Sequence, residues 1–145
     1  MNPSVPDADA VLARATTIFE ANNAVQLATT GGIHSPWVAG AYFTQEGTDL
    51  FILLEASGKS LENIRSNPSV AFSVSQNDAM KDFLQGNGTA HVLTAEEEPA
   101  VRARLVAKMA WYQTYTPVVP VRIQSTELYV SSLASGWFPA RVWRA

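Results

Sequence analysis

Residues 25 to 54 constrain the fold more than any other part of the chain. Three short runs rich in β-branched and aromatic residues, Val25 to Thr29, Trp37 to Phe43 and Leu50 to Leu54, are divided by Gly31-Gly32 and by Glu46-Gly47-Thr48-Asp49. Each run has the length of a strand, and the turn residues between them leave no room for a crossover helix, so neighbouring strands must run antiparallel. The segment reads as an antiparallel meander, and a doubly wound parallel sheet is disfavoured. Further strands are expected at Val70 to Val74, Phe83 to Leu93, Val118 to Ile123 and Glu127 to Leu133. Within the longest of them, Gly86 and Gly88 suggest the bulge or bend with which barrels close.

Helical patterns flank these strands. Val11, Leu12, Ala15, Ile18 and Phe19 recur at helical spacing, giving a helix from about Asp7 to Asn22 with Asp7 or Asp9 near its positive end. Ser60 to Ser66 is a short helix stopped by Asn67-Pro68. Thr94 to Glu97 has the capping-box pattern and opens a helix whose Val101, Leu105, Val106, Met109 and Tyr112 form one apolar stripe ending before Pro117. Six or seven short strands with three helices outside them describe a mainly β fold, a small antiparallel barrel. The last ten residues, GWFPARVWRA, read as a tail.

At 145 residues and 47% hydrophobic, residues 1–145 suffice for one domain with a core. A net charge of −3 with scattered basic residues argues against a nucleic-acid partner. With no cysteine, disulfides, thiolate metal sites and thiol nucleophiles are excluded, and a cytoplasmic protein is expected. The first ten residues lack a secretion signal, and the densest apolar run, Leu50 to Leu54, is too short for a membrane span.

Gly58-Lys59-Ser60 ends like a nucleotide-binding P-loop, but the glycine required six positions before the lysine is Leu53, and the helix that follows is too short. An ATPase is excluded. What remains is a turn in which Ser57, Gly58, Lys59 and Ser60 enter a helix with free N–H groups, two hydroxyls and an ammonium, a set suited to phosphate. Ser60 equally suits the N-cap of its helix. His34 and His91 lack acidic partners at ligand spacing, and no metal site is expected.

The succession LATTGGIHSPWVAGAYF at 27 to 43, GTDLFILLEASGKSLENIRSNPSVAFSV at 47 to 74 and FLQGNGTAHVL at 83 to 93 resembles the pyridoxamine 5′-phosphate oxidase-like FMN-binding split-barrel superfamily, over roughly residues 10 to 133. The resemblance implies a homodimeric split barrel with two flavins at the subunit interface. It places the FMN phosphate by Ser57 and Lys59, with Gly58 and Ser60 in the same turn. The isoalloxazine would lie against Ala39, Gly40 and Ala41 and the end of the strand at Ile52 and Leu53, and Gln85 would touch the ring or ribityl chain. Trp37 stands where the true oxidases carry an arginine that contacts the phosphate. The implied activity is an FMN-dependent oxidoreductase acting on an unnamed small molecule; a flavin-binding protein without turnover, a deazaflavin-dependent reductase and a cofactor-free dimeric barrel are the alternatives. A true pyridoxamine 5′-phosphate oxidase is not expected, because only Arg141 and Arg144 follow the last strand to meet a substrate phosphate.

Overall fold

The computed structural model describes residues 8–145, and Asp7 lies outside them. The first helical pattern forms α1, Ala8–Ala21, which buries Val11, Ala15, Ile18 and Phe19 on one face. It is followed by β1 (Ala24–Thr29), β2 (Trp37–Tyr42), β3 (Thr44–Glu46), β4 (Asp49–Glu55), α2 (Lys59–Ser66), β5 (Ser69–Val74), β6 (Phe83–Val92), α3 (Glu98–Lys108), β7 (Val118–Ser132) and β8 (Trp137–Arg144). The sheet runs in the order β2-β1-β5-β6-β7-β4-β3, with β8 also paired to β7, and its ladders are antiparallel. The expected mainly β split barrel with three helices is the observed fold.

The meander expected over residues 25 to 54 is corrected by this order. β1 and β2 form a hairpin, as do β3 and β4, yet β2 and β3 stand at opposite ends of the sheet. Only Phe43 joins them. The two ends must therefore meet in space, and the sheet curls around the fully buried Phe43, whose ring meets Phe19 edge-on at 6.0 Å. Its N–H continues the β1–β2 ladder by donating to the Asn23 carbonyl at 2.9 Å. Leu27, Leu50, Ile52, Leu84, Ile123 and Leu128 fill the interior by the alternation of their strands.

The last two expected strands fuse into β7, because a bulge lets a strand continue past a break in its pattern. Asn87 pairs with Glu127 and Gly88 with Ser125, so Thr126 is the extra residue, its hydroxyl donating to the Asn87 carbonyl at 3.0 Å. Gly86 is required by a close approach: a Cβ there would lie 2.3 Å from the Phe72 ring. The expected tail is β8, held on β7 and on α1, where the Arg14 guanidinium sits 4.8 Å from the Trp137 ring and donates to Ser132 and Asp82. The capping box of Thr94 and Glu97 forms, but it opens a short 3-10 turn before α3, and α3 stops at Lys108. Val106 is exposed, whereas Met109 and Tyr112 reach a second cluster around Leu53, Val101 and Leu105 from the irregular chain beyond the helix. Among the described residues no helix is long and apolar enough to cross a membrane.

Lys108 ends α3 against the barrel seam. Its ammonium donates to the Phe19 carbonyl at 3.0 Å and to Gln45 Oε1 at 2.8 Å, and lies 3.8 Å from the Phe43 ring centroid. Burial lowers its pKa to about 8, opposed by the Glu20 carboxylate.

Two outcomes follow for stability. Phe43→Ala removes the largest side chain at the seam and is expected to cost about 3–5 kcal/mol in urea unfolding; a loss below about 1 kcal/mol would mean the seam closes without it. Because the folded chain holds the Lys108 proton less tightly, the unfolded chain binds more protons between about pH 8 and 10.5. Stability from this group is thus complete above 10.5 and lost as pH falls through 8. The urea midpoint should rise more across that window in the wild type than in Lys108→Met, and parallel profiles would contradict the assignment.

Candidate functional site

The barrel is split where β2 and β4 diverge without pairing, and a cleft of about 600 Å³ occupies the split. One wall is the Ala39-Gly40-Ala41 stretch of β2, whose side chains are too small to fill it. β2 pairs only with β1, so its outer edge leaves alternate N–H and C=O groups free for a ligand. Leu53, Leu54 and Glu55 at the end of β4 form the floor, the turn Ser57 to Ser60 forms one end, and residues from Tyr112 to Val118 form the facing wall.

The end formed by the turn is an anion site in its chemistry. Gly58 caps α2 in extended conformation, and the first intrahelical bond runs from Glu62 N–H to the Gly58 carbonyl at 3.2 Å. The N–H groups of Lys59, Ser60 and Leu61 precede that bond and lack helical partners. All three residues line the cleft. Ser60 is therefore not the N-cap but the second residue of the helix, because the helix begins one position earlier than its apolar pattern; the cap itself has no side chain with which to satisfy these donors. The Lys59 ammonium lies 5.2 Å from the Trp37 ring centroid, a cation–π contact across the cleft end.

The turn is held against the end of β1 and the loop that follows it by Asn63 of α2 and by Asn67 just beyond the helix. Asn63 is fully buried and donates through Nδ2 to Thr29 Oγ1 at 3.0 Å and to the His34 carbonyl at 3.3 Å. Asn67 donates to Thr30 Oγ1 at 3.1 Å and accepts from the Ser69 N–H at 3.1 Å. Gly32 must be glycine, since a Cβ there would lie 2.1 Å from Asn63 Oδ1. The sequence pattern from Asn63 to Pro68 thus fixes the position of the Lys59 turn and does not itself line the cleft.

Of the ten candidate residues, Ala39, Gly40, Ala41, Leu53, Ser57, Gly58, Lys59 and Ser60 meet in this cleft. Ile52 does not: strand alternation sends it into the core while Leu53 faces out. Gln85 lies on the exposed face of β6 in a separate groove of about 330 Å³, beside Gln26, Val38 and Tyr129. The sequence reading missed the wall of Tyr112, Gln113, Thr114, Tyr115 and Thr116. The Tyr112 phenol is pushed up by burial, opposed by Arg102 and aided by Glu98, so it stays neutral at neutral pH. His34 is exposed beside Trp37, His91 is paired with Gln124 at 3.0 Å, and no cluster of three metal-ligating side chains occurs among the described residues.

A monophosphate at α2 and a flat ring between β2 and the tyrosine wall fit these groups, with Lys59 as the one cation lining the cleft. The chain is similar in fold to a heme-binding protein from Mycobacterium smegmatis, with a TM-score of 0.74, 16% identity and 96% of this chain covered. It spans 58% of that protein's length. HutZ, the heme storage protein from Vibrio cholerae, aligns with a TM-score of 0.67 and 19% identity over 83% of this chain and 94% of that one. General Stress Protein 26 from Bacillus anthracis aligns with a TM-score of 0.66 and 17% identity over 93% of this chain and 98% of that one. No curated protein matches the chain. The family model described as pyridoxamine 5′-phosphate oxidase matches residues 12–132, nearly the whole of the described chain, and the protein belongs to that family.

Proposed function

We propose that the chain is a single-domain, cytoplasmic FMN-binding oxidoreductase, working as a homodimer on a small molecule. The observation that carries this reading is the pairing of one ammonium and three helix N–H groups with an open strand edge in the same cleft. FMN has the matching parts, a dianionic phosphate and a flat ring edged with hydrogen-bonding groups. When bound it supplies hydride and electron transfer; the protein supplies orientation and shelter from water, which suits a cleft with no catalytic dyad. Lys59 and the first turn of α2 hold the phosphate. Ser57 lies beside them, and Ala39, Gly40, Ala41 and Leu53 let the ring approach the backbone. Haem, named for two of the similar structures, asks for an axial His, Cys, Met or Tyr, and of these the cleft lining offers only tyrosines. The tyrosines do not decide between the two; the reading of flavin rests on Lys59 and the leading N–H groups of α2, which suit a phosphate.

The dimer is supported by the face carrying Gln85. Val38 is largely exposed there on edge strand β2, beside the groove of Gln26, Gln85 and Tyr129. A second copy on this face would bring Gln85 to a shared site, which its distance from the cleft otherwise forbids.

A charged hydrogen bond to phosphate contributes about 1.5–3 kcal/mol. Lys59→Ala should therefore weaken FMN binding about ten- to a hundredfold, while riboflavin binds both proteins equally. Equal FMN affinity in the two proteins would overturn the phosphate assignment, and tighter binding of haemin than of FMN by the wild type would overturn the flavin. Light scattering at micromolar concentration should give twice the monomer mass; a monomer would remove the shared site.

A further inference from the structure

Tyr115 is 85% exposed, yet it is not free to wander. Gln113 Nε2 donates to its hydroxyl at 2.7 Å. On one side of it Arg102 donates to Thr114 Oγ1 at 3.0 Å, and Arg102 is itself held by Glu98. On the other side the Thr116 hydroxyl donates to Glu55 Oε1 at 3.3 Å, and the Ala56 N–H donates to the Pro117 carbonyl at 2.9 Å. These bonds fasten the loop to α3 and to the end of β4, the strand that forms the cleft floor. A large aromatic ring is thereby kept in water at the edge of a cleft whose opposite wall, Ala39 to Ala41, carries no bulk. Holding a Tyr ring in place before anything covers it lowers the ordering cost of binding a flat ligand.

We propose that Tyr115 covers the ring system of the ligand in this cleft, so that the ring is held between its phenol and the Ala39–Ala41 backbone of β2. Tyr115 then selects for a flat aromatic body, as Lys59 selects for the phosphate, and the two act on different ends of one molecule. Gln113 is a positioning residue that acts through the Tyr115 hydroxyl. The proposal rests on the flavin reading above.

Titration of FMN and riboflavin against the wild type, Tyr115→Leu, Tyr115→Phe and Lys59→Ala separates the two claims. Loss of an aromatic stacking partner should weaken FMN and riboflavin alike in Tyr115→Leu, each by about tenfold. Tyr115→Phe keeps the ring but loses the bond from Gln113, so its affinity for both flavins should fall between those of the wild type and Tyr115→Leu. Lys59→Ala should lose affinity for FMN alone. Because the ring is exposed, Tyr115→Leu should fold, which its circular dichroism spectrum checks. Unchanged affinity of Tyr115→Leu for both flavins would overturn the Tyr115 role and leave the flavin reading standing, as would weakening confined to FMN. Tyr115→Phe binding as poorly as Tyr115→Leu would also overturn it. A wild type that binds neither flavin would overturn both proposals.

Discussion

One residue of chain separates the two ends of the sheet. β2 and β3 are the outermost strands of the order β2-β1-β5-β6-β7-β4-β3, and only Phe43 lies between them. A covalent link this short cannot span a flat seven-strand sheet, whose strands lie about 4.8 Å apart, so the sheet has to curl until its edges meet. Phe43 then falls inside, against Phe19 and under the Lys108 ammonium. Closure is incomplete. β4 takes β7 and β3 as partners, β2 takes β1, and the divergence of β2 from β4 is the cleft. The curl follows from the short link, and the cleft lies where the curled sheet leaves β2 and β4 unpaired.

The cleft gains its chemistry from a second constraint, the burial of Asn63. An amide taken out of water must find partners, and its bonds to Thr29 and the His34 carbonyl can form only when α2 lies across the end of β1. That placement aims the first turn of α2 into the split. Gly58 as the cap leaves the leading N–H groups without a side-chain acceptor, and Lys59 adds the charge. Trp37 contributes a π-face beside the ammonium and adds no charge of its own. Among the described residues lining the cleft, Lys59 is the one cation. The facing wall is fastened in the same way, through Thr114 and Thr116, so both walls are set before a ligand arrives.

Local patterns in the sequence carried the local structure. The runs at Val25, Leu50 and Val70 became strands, the capping box of Thr94 and Glu97 formed, and Gly86 and Gly88 marked the bulge, because each depends on neighbours a few residues away. Pairing over long distance was not legible in the same way. Nothing in GWFPARVWRA shows that it lies on β7, since an edge strand looks like any other apolar stretch until its partner is known. The turn at residues 57 to 60 lines the cleft as its residue types suggested, whereas strand alternation sends the Ile52 side chain into the core. Gln85 faces a separate groove beside Gln26, Val38 and Tyr129. Tyr115 was invisible because it lies in a loop with no periodicity, where position is set by four hydrogen bonds and not by pattern.

Phosphorus NMR of FMN titrated into the protein tests most directly whether the first turn of α2 holds a phosphate dianion. A free phosphate monoester takes up its proton near pH 6. Bound against Lys59 and the helix N–H groups, the phosphate should stay dianionic, with a shifted resonance that hardly moves between about pH 7 and 5.5, because a neighbouring ammonium lowers an acid's pKa. A bound FMN whose phosphorus resonance titrates as it does in free solution would contradict the account, since its phosphate would then lie in water and not in the turn at residues 57 to 60.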